Sequence, residues 1–423
     1  MLFAKIPVWL VLIIFMVLTT LGGLWAYAVF KHKVFPYKVM REIRDFVRGD
    51  EFDDATLWER FLALTGSENP FELEAGLETN AVDGQVALQT ELTEGYYMLY
   101  GFFDQDGAPV PTVHLMDMQG AVARTWRFPV VGTSNSPRRI TYTQDGVVVA
   151  NTSGVLRAVD WCGTPLWTRE AEGGIGYHHE IDPHQGELTL WRNDVVVSVD
   201  VQTGAAREHF ALRDLVLANP DEPILSAMLL DSNAATFRYG AENENIRFSP
   251  LEQRAGARPV HTRDPYHANA ALLNGGRTAA FPDDAVLISL RQVNMIAVVE
   301  GSTGRILWRS FFNRPHDPHW YRAGVSVYNN RSNFDHSLID YQPFEGPREI
   351  RVGPEQYDWY RKVTGNHQLL PDGGIVFQGV PGQVVHVDAQ GRVLSDIRSR
   401  FVMRNGYYLS AGQVAAFESA CAN

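Results

Sequence analysis

Two hydrophobic patterns divide the chain. Ile6 to Phe30 run IPVWLVLIIFMVLTTLGGLWAYAVF without a charge, and at about 1.5 Å per residue this stretch crosses a hydrocarbon core of about 30 Å. It predicts a transmembrane helix over residues 1–33 and is too long for the apolar region of a cleaved leader. Val39, Ile43, Phe46, Leu57, Phe61 and Leu64 then recur at helical spacing, which predicts two short amphipathic helices. With the Glu- and Asn-rich stretch that follows, they form a helical stalk and linker over residues 34–94. From residue 95 to 423 the texture changes to short runs of Val, Ile, Tyr, Phe and Trp broken by Gly, Asp, Asn and Pro, the mark of strands and turns.

Within this second region a unit repeats. It reads DGVVVANTSGVLRAVDWCGTPLW at 145–167, GELTLWRNDVVVSVDVQTGAAREHF at 186–210, DAVLISLRQVNMIAVVEGSTGRILW at 284–308 and DGGIVFQGVPGQVVHVDAQGRVL at 372–394. Half a unit precedes these at 113–126, and another starts at 323–330 and continues through 337–352. The first two units begin at residues 145 and 186, close to the period of about 40 residues of a four-stranded propeller blade. Five or six blades fit, six being the favoured count, so the expected fold class is all-β: a β-propeller carried on an N-terminal transmembrane helix and helical stalk. A β-sandwich or parallel β-helix would not need this hairpin period.

Charge and cysteine content narrow the function. A formal net charge of −12 without a basic stripe in the body excludes a nucleic-acid partner. The two cysteines, Cys162 and Cys421, have no metal-ligand spacing. Two unpaired thiols are the simpler expectation, and a disulfide between them is not readable from sequence.

The candidate chemistry lies in the histidines. Of 13, a large share fall just before the first strand of a unit: His178 and His179, His267, His316 and His319, and His367. The innermost strand of each blade lines the central channel, so these positions gather at one mouth of it. Such a ring suits nucleophilic or acid–base work on an anion. A metal ring is the alternative, with Glu180, Asp182 and Asp317 as further ligands. Arg291 stands inside the apolar run LISLRQVNMIAVV, where a charge needs a partner or a ligand. Its guanidinium would fork onto sulfate or phosphate oxygens.

These residues carry a resemblance. VHLMDMQGAVARTW, the double His178–His179, His267-x-Asn269, Ser289-x-Arg291, His316-Asp317-Pro318 and the Leu-Pro-Asp-Gly of Leu370 to Gly373 follow in the order of the bacterial arylsulfate sulfotransferases, and the chain resembles that family from about residue 95 to 400. It departs from the family pattern at HWYRAGVSVYNN, which follows His316-Asp317-Pro318, and at Gln292–Val293 after the arginine.

The resemblance implies an enzyme that moves a sulfuryl group from an aryl sulfate to a phenol or alcohol without a nucleotide sulfate and without a cofactor or metal. In that reading His316 is the nucleophile, Arg291 and His267 hold the sulfuryl oxygens, and His178 or His179 handles the phenolic proton. His319, His367 and Asn269 contribute to substrate binding. No Walker-type phosphate loop is present, which agrees with such a donor. The resemblance places the body in the periplasm. Lys31, Lys33, Lys38, Arg41, Arg44 and Arg48 outweigh Lys5, which by the positive-inside rule places it in the cytoplasm. A non-catalytic, membrane-anchored propeller that binds a protein or glycan is the competing function, and a homo-oligomer stays open.

Overall fold

The chain divides into two compact units, residues 1–70 and 71–423. The computed structural model describes residues 82, 85–105, 108–128, 137–152, 154–171, 176–178, 180–222, 225, 266–330, 337–353, 357, 359, 365–379, 382–399 and 403–421. The expected transmembrane span and amphipathic stalk lie outside these residues. Among the described residues no helix is long and apolar enough to cross a membrane.

Six antiparallel sheets make a six-bladed propeller. Blade 1 runs outward through Met403–Leu409, Tyr96–Gln105, Ala108–Asp117 and Val122–Arg127. Blade 2 holds Pro137–Tyr142, Val148–Thr152, Val155–Val159 and Pro165–Glu170, and blade 3 Asp182–His184, Glu187–Arg192, Val195–Asp200 and Ala206–Ala211. Blade 4 comprises Ala268–Leu273, Val286–Leu290, Met295–Val299 and Ile306–Phe311. Blade 5 comprises Pro315–Tyr321, Gly324–Asn329, Leu338–Pro343 and Glu349–Val352. Blade 6 holds His367–Leu369, Ile375–Gln378, Gln383–Val387 and Val393–Ser399. The repeats in the sequence are the second to fourth strands of each blade.

The burial explains the pattern. Middle strands such as Val286–Leu290 and Met295–Val299 are buried at every position, because both faces of a blade press on neighbours and the strand reads as an apolar run. The outermost strand Pro165–Glu170 is mostly exposed. Six apolar clusters fill the seams between adjacent blades. Between the third and fourth strands an acidic residue closes the turn on itself. Asp117 Oδ1 accepts the N–H groups of Gln119 and Ala121 at 2.9 and 2.8 Å, and Asp388 Oδ1 those of Gln390 and Arg392 at 3.0 and 2.9 Å. Gly120 and Gly391 complete these turns at φ +83° and +82°, a conformation open to glycine at little cost.

The ring closes twice. Met403–Leu409, from the far end of the chain, pairs with Tyr96–Gln105 as the inner strand of blade 1. Val86–Thr90 adds a fifth, outer strand to blade 6 by pairing with Val393–Ser399. The propeller thus begins at Val86, inside the stretch expected as linker to residue 94, because alternate positions Val86 and Leu88 pack against the blade 6–blade 1 seam. The helix Ala411–Cys421 then buries Val414 and Phe417 beside Trp161 of blade 2. Its Glu418 accepts from Arg124 Nη2 at 2.6 Å and from Trp161 Nε1 at 3.0 Å. Cys162 and Cys421, expected as free thiols, form a disulfide with Cα atoms 5.5 Å apart. They lie 259 residues apart in sequence, and only the seating of this helix on blade 2 brings them together.

Candidate active site at the start of the inner strands

Contacts join the inner strands of blades 1 to 5 in succession around the axis, and the histidines collect where the inner strands begin. His316 is the second residue of the inner strand of blade 5 and is 2% exposed. Its pairing with Gly324–Asn329 slips between His316 and His319, and Arg314 and Asp317 on either side have φ of +50° and +43°. Such non-glycine conformations persist where the surroundings impose them. The carbonyl of Pro315 is held by two buried donors, Ser289 Oγ at 2.8 Å and Asn269 Nδ2 at 3.3 Å. Both sit on blade 4, so the backbone just before His316 is clamped across a seam.

The tautomer of His316 follows from its partner. Nδ1 lies 2.9 Å from the carbonyl oxygen of Arg314, which can only accept, so Nδ1 carries the proton and Nε2 keeps a lone pair. Burial, then the guanidinium of Arg291, hold the imidazole well below its usual pKa, with His267 acting the same way. The ring is therefore neutral at pH 7.

Arg291 sits in the turn after the second strand of blade 4 and is 4% exposed. Its backbone N–H donates to the carbonyl of His267 at 3.0 Å, joining the two loops that face His316. His267 has φ +45°, and its ring meets that of His178 edge-on, centroids 6.1 Å apart. His178 is buried; its N–H donates to Trp191 O at 3.0 Å and its carbonyl accepts from Asn151 Nδ2 at 2.6 Å. His178, His267, Arg291 and His316 thus come together from blades 3, 4 and 5. His179 lies outside the described residues.

The other three expected residues group differently. His319 Nε2 lies 3.1 Å from Asp317 Oδ2 and 2.9 Å from the carbonyl of His367, and its ring stands edge-on to His367 at 4.7 Å. His367 is buried, with Nε2 2.7 Å from Ser326 Oγ, and burial lowers its pKa to about 4. Asn269, expected to bind substrate, spends its amide on the Pro315 carbonyl.

Beneath these side chains lies an ion cluster in which sequence reasoning had overlooked Arg139. Arg139 Nη2 is 2.5 Å from Asp317 Oδ1 and 2.8 Å from Glu180 Oε2, all three nearly sealed from solvent. Burial works against ionisation of Asp317, but Arg139 and then His319 outweigh it and hold the carboxyl well below the usual range. Burial drives Glu180 the other way, well above that range, against the pull of Arg139. The surroundings thus favour the charged form of Asp317 and the protonated form of Glu180.

Asp317, His319 and His367 place three metal-capable atoms within 4.8 Å of one another. The carboxylate is already engaged: Oδ1 by Arg139 and Oδ2 by the N–H of His367 at 2.5 Å. A cation there would meet a guanidinium across the same carboxylate, so the residues do not fit a metal well.

A six-bladed β-propeller with buried histidines and an arginine gathered where its inner strands begin is the class that fold and site define. The sequence profile of the arylsulfotransferase (ASST) family matches residues 140–400, more than half of the chain, and the chain belongs to that family. No curated protein matches it. Among solved structures it is similar to a protein of unknown function from Bacteroides caccae, at 11% identity and TM-score 0.47, over 75% of this chain and 99% of that one. It is also similar to apo AztD from Citrobacter koseri, at 10% identity and TM-score 0.35, over 70% and 67%. These distant likenesses carry no argument about function.

Proposed function

We propose that the protein transfers a sulfuryl group from an aryl sulfate to a phenol or alcohol through a sulfohistidine at His316. The observation that carries this reading is a buried, neutral imidazole whose Nδ1–H is tied to Arg314, with Arg291 and His267 beside it. Nε2 attacks sulfur, the N–S bond forms, and the S–O bond breaks with its electrons leaving on the phenolate. The acceptor oxygen then attacks the same sulfur and releases the imidazole. Arg291 and His267 stabilise the equatorial oxygens as charge redistributes, and His178 or His179 delivers and removes the phenolic proton.

The Cys162–Cys421 bond supports an oxidising compartment, and so a periplasmic body anchored by the Ile6–Phe30 span, against the Lys and Arg count beside that span. Steady-state kinetics with p-nitrophenyl sulfate and a phenol acceptor test the enzymatic reading. Parallel lines in double-reciprocal plots support a ping-pong sequence. Intersecting lines refute the covalent route, and absence of nitrophenol release refutes the activity.

A further inference from the structure

The buried ion cluster takes no part in the transfer as written, yet its residues adjoin or hydrogen-bond beside the segments that carry His178, His267, His316, His319 and His367. Asp317 directly follows His316, and Glu180 directly follows the His178–His179 pair. Asp317 Oδ2 also accepts the backbone N–H of His367 at 2.5 Å and faces Nε2 of His319 at 3.1 Å. The N–H of Glu180 donates to the carbonyl of Asn269 at 3.2 Å, two residues beyond His267. Arg139 binds both carboxylates from the inner strand of blade 2, across the axis from blade 5, and lies 5.9 Å from the Tyr407 ring of blade 1.

We propose that Arg139, Asp317 and Glu180 are positioning residues: they hold the loop of the nucleophile in register with the loop of the acid–base histidines, so sulfuryl transfer depends on the Arg139–Asp317 pair beyond its share in folding. This rests on the sulfotransferase reading above. The left-handed backbone at Asp317 and the slipped pairing between His316 and His319 show why an anchor is needed there. His316 is paired with Tyr328, but the register is lost directly after it, and the carboxylate one residue on is bound to groups from blades 2, 5 and 6. Arg139 Nη2 reaches both carboxyl groups, at 2.8 Å from Glu180 Oε2 and 2.5 Å from Asp317 Oδ1, so one guanidinium ties the two loops together.

Removing one partner of a buried pair strands the other charge, whereas removing both does not, and this separates positioning from folding. The experiment measures the nitrophenol burst and the melting temperature of the full chain for Asp317→Asn, Arg139→Met and the double variant. Both single variants melt earlier and burst more slowly. The double variant regains melting temperature while its burst rate stays about 100-fold below wild type, with KM for the aryl sulfate little changed. Arg139→Lys, which keeps the charge but not the fork, falls between. A burst that recovers together with melting temperature in the double variant overturns the inference and leaves the cluster purely structural. A wild-type chain with no burst overturns the sulfotransferase reading itself, and the inference with it.

Discussion

The turn between the third and fourth strands of a blade and the approach to its first strand solve opposite problems. At Asp117, Asp160, Asp200 and Asp388 one carboxylate accepts N–H groups of its own turn, so each turn is complete within a few residues. At the inner-strand starts local contacts such as His316 Nδ1 to Arg314 O are joined by others from distant parts of the chain. His267, Arg314 and Asp317 hold positive φ, and the buried groups there are satisfied across blades: Ser289 and Asn269 on Pro315, Arg139 on Asp317 and Glu180. The first kind of turn serves folding and repeats. The second departs from the repeat, and the departures assemble the site.

That contrast gives an order of expected effects. Arg291→Ala, at an inner-strand loop, lowers the burst rate by about 10²–10³-fold, since it removes a preorganised donor to developing charge; an unchanged rate would remove Arg291 from the chemistry. Cys162→Ser, at the ring closure, costs about 2–5 kcal/mol of stability and leaves the burst rate intact. Calorimetry with and without reductant checks the first part, and a lost burst in a folded variant would break the separation between the two regions.

The pH dependence follows from the buried imidazoles. His316 and His367 titrate below the ordinary histidine value of about 6.5, His367 at about 4. Between those values the unfolded chain binds more protons than the folded one, so stability rises with pH across this window and is lost as pH falls through it. The burst rate, which needs neutral His316, therefore holds as pH drops to 6.5 and declines only further down. A burst rate that halves near pH 6.5 would show an ordinary, solvated histidine as nucleophile. Smallest of all, Asp388→Ala costs about 1 kcal/mol in thermal unfolding and nothing in rate. A rate change there would mean that turn and site are coupled.

The same contrast explains what could be read from the chain. The second to fourth strands were legible because their apolar runs and Asp–Gly turns are set by neighbours in sequence. The gathering of His178, His267, Arg291 and His316 was legible because each marks the same point of a blade or follows the family order. Arg139 was not, since PRRITY gives no sign that its second arginine crosses the axis to Asp317. That Asn269 also holds the Pro315 carbonyl could not be read, because that contact is set by how blades 4 and 5 dock. The Cys162–Cys421 bond was hidden for the same reason: only the docking of the last helix on blade 2 makes the two sulfurs neighbours.

Intact-mass spectrometry of the full-length chain after brief exposure to p-nitrophenyl sulfate, wild type beside His316→Ala, tests the central claim most directly. A single sulfuryl group gained by wild type, lost again on adding phenol and never present on the variant, is the predicted result. An adduct on the variant as well would contradict His316 as the nucleophile, and no adduct on either while nitrophenol is released would contradict the covalent route.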